Sequence, residues 1–308
     1  MRKFIYILMV LVFFFSCMGA FGAVKRIAIL TPYLASVTTN EMIQSIKKYA
    51  KQQGWKVTVI DTKGDFNALA NRFEDVIATK VDAIVMGMGD PNQLKTQIAK
   101  AERAGIPVFG GDAGYIPAMV LNVTSNNYVL SSQITSYLFD KMDHNGKIVK
   151  FYHSAHPGVR KREVIFDAML EHNKGIELVA DHFVKVPGPI EDARKAMESI
   201  LLANPRSGSI TAVWAAWDEP AIGAAQAIKA ARREKEIIVT GIDGNTQALS
   251  MIKKEGTIVG TVKQDFDGIA RILVEQIKLY FNGKRDFDHI IYAPSYLVTP
   301  SNVDDFIE

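Results

Sequence analysis

Short runs of apolar, mostly branched residues alternate with longer amphipathic segments along nearly the whole chain. The first run, RIAILT (26–31), predicts a buried strand, and the segment after it places Met42, Ile46 and Ala50 at helical spacing. Strands separated by helices of about 10 to 15 residues indicate βαβ units and a parallel sheet. Because the alternation restarts at Lys147 after an irregular stretch, the sequence predicts an α/β fold with two doubly wound parallel-sheet lobes.

The N-terminus has the pattern of a secretory signal peptide, with a basic start at Met1–Lys3, an unbroken apolar run over 4–15 and small residues up to a predicted cleavage site after Gly22. The apolar run is shorter than the roughly 20 residues of a membrane-spanning helix. A buried helix or an uncleaved anchor is the alternative. Cys17, the single cysteine, raises the alternative of lipid attachment, but the leucine expected upstream of it is missing. We therefore expect a secreted, periplasmic protein.

Composition excludes several classes of function. The 36 Lys and Arg against 33 Asp and Glu give a net charge of +3. Loss of Arg2 and Lys3 with the signal peptide leaves 34 against 33, a charge of +1, which argues against a nucleic-acid partner. Cleavage would also remove the cysteine and with it any thiol chemistry.

No motif for a catalytic nucleophile, a phosphate-binding loop or a zinc-binding helix is present, so we expect neither an enzyme nor a cofactor. His153 and His156 could form a metal pair, but no third ligand follows at a matching spacing, and no metal is expected.

Polar and aromatic residues follow the predicted strands. In open parallel sheets, ligands bind outside the carboxyl ends of the strands. Two such edges facing each other would form a cleft lined by carboxylates, amides and aromatic rings. The positions are Thr31–Tyr33, Asp61, Gly87–Asp90, Gly111–Asp112, His153–Ser154, Trp217–Asp218, Asp243–Asn245 and Lys263–Asp265.

From about residue 25 to 298, the order and spacing of several segments resemble the periplasmic sugar-binding proteins of the ribose and galactose type, the solute receptors of ABC importers. None of these segments is specific by itself. They are VDAIVM (81–86), GIPV (105–108) ending at Asp112, SNNY (125–128), REVIF (162–166), WDEPAIGA (217–224), GIDG (241–244) and GTVKQ (260–264).

The resemblance implies a type I periplasmic binding protein fold, in which a three-strand hinge joins the lobes and closes around ligand. It places the crossings near Asn126–Asn127, Lys263–Asp265 and Ala293. The predicted segments are a signal peptide (1–22), an N-terminal lobe (24–126 plus 265–292) and a C-terminal lobe (127–264 plus 293–308).

The resemblance also implies four ligand contacts. Asp112, after the Ile-Pro-Val strand, matches an aspartate that accepts hydrogen bonds from sugar hydroxyls. Arg162 matches an arginine that holds hydroxyls or the ring oxygen, and Asp243 and Gln264 match two further site residues. Carboxylates and the planar guanidinium make charge-assisted hydrogen bonds to hydroxyls, which are stronger than neutral ones.

This sequence departs from the family pattern in the same region. Ala113 stands where an arginine is common, Trp217 where an asparagine is common, and Thr38–Thr39 where an aromatic pair would fall. Trp217 joins the predicted site as a ring face for the apolar side of a sugar, and Tyr33 joins it from the first loop. The departures indicate a ligand that is larger, more apolar or differently hydroxylated than ribose.

Each assignment has a structural alternative. Asp112 and Asp243 could serve only as caps or turn residues, Arg162 as a surface charge on an amphipathic helix, and Trp217 as a core or hinge residue. Asp218–Glu219 is expected to begin a helix, where the dipole favours acids.

The functional prediction is a secreted monomer that captures a sugar or related polyhydroxylated solute between two closing lobes. Its predicted partner is the membrane permease of an ABC importer, to which it delivers the solute. The alternative is a periplasmic sensor subunit that presents its ligand state to a chemoreceptor or histidine kinase. Nothing in the sequence separates the two.

Overall fold

The computed structural model describes residues 24–254 and 256–307. The predicted signal peptide over 1–22, its cleavage site and Cys17 lie outside the described residues. Within the described part of the chain, no helix has the length and apolar character needed to cross a membrane.

The chain alternates between strands and helices over most of its length, as the sequence pattern predicts. The strands are β1 (Arg26–Thr31), β2 (Lys56–Asp61), β3 (Ala83–Gly87), β4 (Val108–Gly111), β5 (Leu121–Thr124), β6 (Gly146–Tyr152), β7 (Ile176–Phe183), β8 (Ala212–Ala215), β9 (Ile238–Thr240), β10 (Ile258–Gln264), β11 (Ile290–Tyr292) and β12 (Ser295–Val298). The helices are α1 (Val37–Gln52), α2 (Phe66–Ala78), α3 (Lys95–Arg103), α4 (Asn127–Lys141), α5 (Pro157–His172), α6 (Pro189–Ala203), α7 (Asp218–Ala230), α8 (Thr246–Lys253) and α9 (Phe266–Phe281).

The strands form two six-stranded sheets, and each sheet is the centre of one lobe. The N-terminal lobe has the strand order β11-β5-β4-β3-β1-β2, all parallel. The C-terminal lobe has the order β12-β10-β9-β8-β6-β7, in which only β12 runs antiparallel to its neighbour. This confirms the predicted α/β fold with two parallel-sheet lobes.

Helices cover both faces of the N-terminal sheet and bury its apolar residues. On one face, α1 and α9 pack together through residues such as Met42 and Leu273. On the other, α2 and α3 contribute Phe73 and Ile98 to a second cluster. Strands buried on both faces explain the near-continuous apolar runs in the sequence.

The core of the C-terminal lobe is built around Trp214 on β8. Its ring stacks on Phe166 of α5, with centroids 4.4 Å apart, and its indole N–H donates to the Thr135 hydroxyl at 3.1 Å. A buried indole needs such a partner. The packing fixes α5, whose inner turn carries Arg162, against the sheet.

Three segments cross between the lobes at one edge of each sheet. The chain leaves β5 at Ser125 and enters α4, it passes from β10 into α9 at Asp265, and it passes from β11 to β12 through Ala293 and Pro294. The crossings are hydrogen bonded to one another, from Ala293 N–H to the Thr124 carbonyl (2.9 Å) and from Asp265 N–H to the Pro294 carbonyl (3.3 Å). This is the predicted three-strand hinge, while the residue at which each lobe ends stays a prediction.

Candidate ligand-binding site

The carboxyl ends of the two sheets face each other across a cleft that encloses a cavity of about 60 Å³. One buried water needs about 10–15 Å³ by this measure, so the cavity suits a small solute rather than an oligosaccharide. Loops from both lobes line it. The lining residues are Tyr33, Ser36, Thr38, Thr39, Met88, Asp112, His153, His156, Val159, Arg162, Val186, Trp217, Glu219, Asp243 and Phe266.

Asp112 reaches the cavity from the end of β4 in the N-terminal lobe. Its backbone has φ of 47°, in the region that disfavours side chains other than glycine, asparagine and aspartate. Its side chain is 2% exposed and accepts a 2.6 Å hydrogen bond from the Thr124 hydroxyl through Oδ1. The second carboxylate oxygen, Oδ2, accepts no hydrogen bond from the described residues, which leaves it free for a ligand.

Arg162 reaches the cavity from α5 in the C-terminal lobe and is 2% exposed. Arg162 is therefore not an exposed charge on the surface of an amphipathic helix, which was the alternative to a ligand contact. Its Nε donates to the Asn127 side chain and its Nη1 to the Ala216 carbonyl, both at 2.7 Å. Nη1 also lies 3.4 Å from Oδ1 of Asp243. These contacts hold the guanidinium in one orientation.

Asp243 lies between β9 and α8, with φ of 131°. Burial raises the pKa of its carboxyl, and the neighbouring Arg162 guanidinium opposes that rise. Gln264 donates to Oδ1 of Asp243 at 2.7 Å but is not among the residues that line the cavity. The structure thus places Gln264 behind Asp243, where it orients the carboxylate.

Trp217 and Tyr33 form an aromatic end of the cavity. The Trp217 indole N–H donates to Glu219 at 3.2 Å, and the Tyr33 hydroxyl lies 3.2 Å from Nε2 of His153. Ring centroids of Tyr33 and Trp217 lie 5.8 and 6.1 Å from that of His153. All six residues predicted for the site are therefore in or directly behind one cleft.

Two histidines also line the cavity: His153, which the sequence places at a strand end, and His156, which it suggests only as the partner of His153 in a metal pair. Burial lowers the pKa of both imidazoles. His156 caps α5 by accepting the N–H groups of Gly158 and Val159 through Nδ1. The described residues contain no group of three or more His, Cys, Asp or Glu that could hold a metal ion. The position of His153 at a strand end was the available sequence clue.

Glu219 was expected only to begin a helix, which it does in the first turn of α7. It also faces the cavity, and one of its oxygens accepts hydrogen bonds from Trp217 and from the Ser36 hydroxyl of the opposite lobe, the latter at 2.6 Å. No local pattern marks this second role, because Ser36 is distant in sequence.

Several hydrogen bonds cross the cleft and show that the lobes are closed. Besides Tyr33 to His153 and Ser36 to Glu219, Nε2 of His156 lies 3.1 Å from the Asp112 carbonyl. At the rim, Arg160 pairs with Asp90 at 2.6 Å. The cavity is therefore shaped by both lobes together.

Comparison with known proteins gives the family. The model of the periplasmic binding protein domain matches residues 27–285. The chain is 28% identical over 263 residues to the ribose import binding protein of Bacillus subtilis, covering 83% of this chain and 81% of that protein. It is 28% identical over 278 residues to the D-apiose import binding protein of Paraburkholderia graminis, covering 86% and 84%.

A solved structure of similar shape is an ABC transporter solute binding protein from Agrobacterium vitis with bound allitol. Its TM-score is 0.86 at 25% identity, over 92% of this chain and 97% of that one. With the family match over most of its length and the two closed lobes, the chain belongs to the family of periplasmic binding proteins.

Proposed function

We propose that this protein captures a small polyhydroxylated solute, a sugar or polyol, between its two lobes and delivers it to the membrane permease of an ABC importer. The observation that carries the proposal is the convergence of Asp112 from one lobe with Arg162 and Asp243 from the other on a single buried cavity. A solute that touches all three can do so only when the lobes are closed.

Each site residue has a distinct proposed role. Asp112 and Asp243 accept hydrogen bonds from solute hydroxyls, and Arg162 donates to hydroxyl or ring oxygens. Tyr33 and Trp217 pack against the apolar face of the solute. Gln264 acts through Asp243, whose carboxylate it orients. A solute lacking one hydroxyl would leave a buried charged group unpaired, which is how such a site discriminates.

The solute supplies free energy for closure because its contacts with both lobes exist only in the closed form. We propose that the permease recognises the closed surface, that the protein acts as a monomer in the periplasm, and that it does not transform its ligand. The similar proteins of Bacillus subtilis and Paraburkholderia graminis are both import binding proteins, which supports import rather than sensing.

A thermal-shift screen of sugars, polyols, amino acids and anions tests the proposal. A true ligand raises the melting temperature by mass action, and the same ligand should decrease the radius of gyration in small-angle scattering. Arg162→Ala should abolish the shift, whereas Arg72→Ala, an exposed arginine of α2, should leave it intact. Stabilisation by amino acids or anions alone would overturn the proposed function.

A further inference from the structure

Resting on the proposed function, we propose that the solute carries an ammonium group in addition to its hydroxyls, as an amino sugar or an amino polyol does. The ammonium group would lie at the aromatic end of the cavity, and the hydroxyls at the end formed by Asp112, Arg162 and Asp243.

At the aromatic end, Tyr33 and Trp217 belong to a cycle of five residues from both lobes, each in contact with the next. Tyr33 hydrogen bonds to His153, whose ring lies edge-on to Trp217, and Trp217 donates to Glu219. Glu219 accepts from Ser36, whose N–H returns to the Tyr33 carbonyl at 2.9 Å. This cycle of residues presents aromatic side chains and one carboxylate, that of Glu219, to the cavity.

The charges that line the cavity do not balance. Two acidic side chains, those of Asp112 and Glu219, line the cavity in addition to the buried pair of Arg162 and Asp243, in which burial raises the pKa of the Asp243 carboxyl. Arg162 pairs with Asp243, while Asp112 and Glu219 form no ion pair with any residue that the structure describes. Burial lowers the pKa of the His153 and His156 imidazoles, which disfavours a compensating positive charge on either ring. A positive charge on the solute would supply the missing partner, because a buried charge is costly when unpaired.

Glu219 is itself poised for a ligand. Glu219 is 5% exposed. Both hydrogen bonds to its side chain, from Trp217 and Ser36, are accepted by Oε2. Oε1 accepts no hydrogen bond from the described residues, although it belongs to a cavity-lining side chain. An ammonium group that donates to Oε1 would give this second carboxylate oxygen its hydrogen-bond partner.

The neighbouring rings favour the same chemistry. An ammonium ion is attracted to the face of tryptophan or tyrosine by about 0.5–2 kcal/mol, and aromatic cages are a recurrent means of binding such cations. A hydroxyl group at the same position gains no comparable attraction. The aromatic side chains of Tyr33, His153 and Trp217, next to the buried carboxylate of Glu219, therefore favour an amine over its hydroxyl counterpart.

Isothermal titration calorimetry with matched ligands tests the inference on the full mature chain. Amino sugars and aminocyclitols are compared at neutral pH with the isosteric sugars and cyclitols, and with the N-acetylated amines as uncharged controls. We expect at least one amine to bind about tenfold or more tightly than its hydroxyl counterpart. The preference should disappear as the pH rises above the pKa of the ligand's own amine.

Glu219→Gln should narrow the ratio of the amine and hydroxyl affinities to about threefold or less. Glu234→Gln removes the same charge at an exposed position beyond the far end of α7 and should leave the ratio unchanged. Melting without ligand establishes whether each variant folds. If Glu219→Gln does not fold, the pH titration of the unmodified protein decides.

The outcomes separate this inference from the proposed function. Hydroxyl ligands that bind as tightly as their amines would overturn the inference and leave the proposed function standing. A ratio that survives Glu219→Gln would overturn the placement of the ammonium group. Failure of both ligand series to bind a folded protein would overturn both proposals.

Discussion

Oδ1 of Asn127 accepts a 2.7 Å hydrogen bond from Nε of Arg162, and both residues are buried. The Asn127 amide in turn donates to the Ser125 carbonyl at 3.1 Å. Ser125 lies in the first of the three crossings between the lobes, directly before α4. The guanidinium proposed to hold the solute is thus anchored to the hinge as well as to its own lobe.

Replacing Asn127 with alanine should weaken solute binding by about tenfold, because a hydrogen bond to a charged group contributes roughly 1.5–3 kcal/mol. Calorimetry with the ligand found in the thermal-shift screen measures the change. Ser132→Ala removes a partly exposed hydroxyl of the same helix and serves as the control. Equal affinities for Asn127→Ala and the unmodified protein would show that Arg162 does not depend on this anchor.

Trp217 should report ligand binding by its fluorescence. The chain has three tryptophans, and only Trp217 lines the cavity. Trp214 is enclosed in the core against Phe166, and Trp55 packs against Phe281 in the N-terminal lobe. We expect a change in emission on ligand addition that Trp217→Phe abolishes and Trp55→Phe preserves. A signal that persists in Trp217→Phe would place the ligand away from this ring.

Much of the fold could be predicted because its determinants are local. Each βαβ unit appears in the sequence as an apolar run followed by a helical repeat. The carboxyl-end rule places Asp112 at the edge of one sheet and Asp243 and Trp217 at the facing edge of the other. Arg162 could be placed only by resemblance, since its neighbours along α5 are charged and the sequence allowed an exposed position.

The remainder of the site depends on contacts between distant segments. The hydrogen bond from Ser36 to Glu219 and that between His156 and the Asp112 carbonyl exist because the lobes close. Neither the hydrophobic periodicity of the sequence nor any motif in it shows how the two lobes face each other. Asn127 was recognised only as a crossing point, because its bond to Arg162 joins two helices of the folded lobe.

Removing the ion pair at the rim should weaken binding modestly. Nη2 of Arg160 lies 2.6 Å from Asp90 across the cleft, with side-chain exposures of 39% and 6%. Since Arg160 is partly exposed to solvent and Asp90 keeps two hydrogen bonds from Asn92, Arg160→Ala should raise the dissociation constant only about two- to fivefold, through faster release. Stopped-flow kinetics measures the rates, and Lys161→Ala, at the adjacent position, is the control. A slower release from Arg160→Ala would contradict a role for the pair in holding the cleft closed.

Acid should open the cleft through His156. In the closed form Nδ1 accepts backbone N–H groups and Nε2 donates to the Asp112 carbonyl, so the imidazole is neutral. Burial lowers its pKa from 6.5 to about 4, with Asp112 opposing the shift and Arg162 and His153 adding to it. Separation of the lobes would expose the ring and return its pKa towards 6.5.

A proton then binds the open form more tightly than the closed form. The contribution of His156 to closure is complete above pH 6.5 and is lost as the pH falls from 6.5 towards 4. We expect the solute affinity to fall by up to about tenfold per pH unit in that window. Calorimetry across the range should show a shallower slope for His156→Gln, whose amide can still donate to the Asp112 carbonyl. The raised pKa values of buried Asp218 and Asp243 favour the closed form in acid and therefore oppose this trend. Identical profiles for the variant and the unmodified protein would assign the pH dependence to His153, whose pKa burial also lowers.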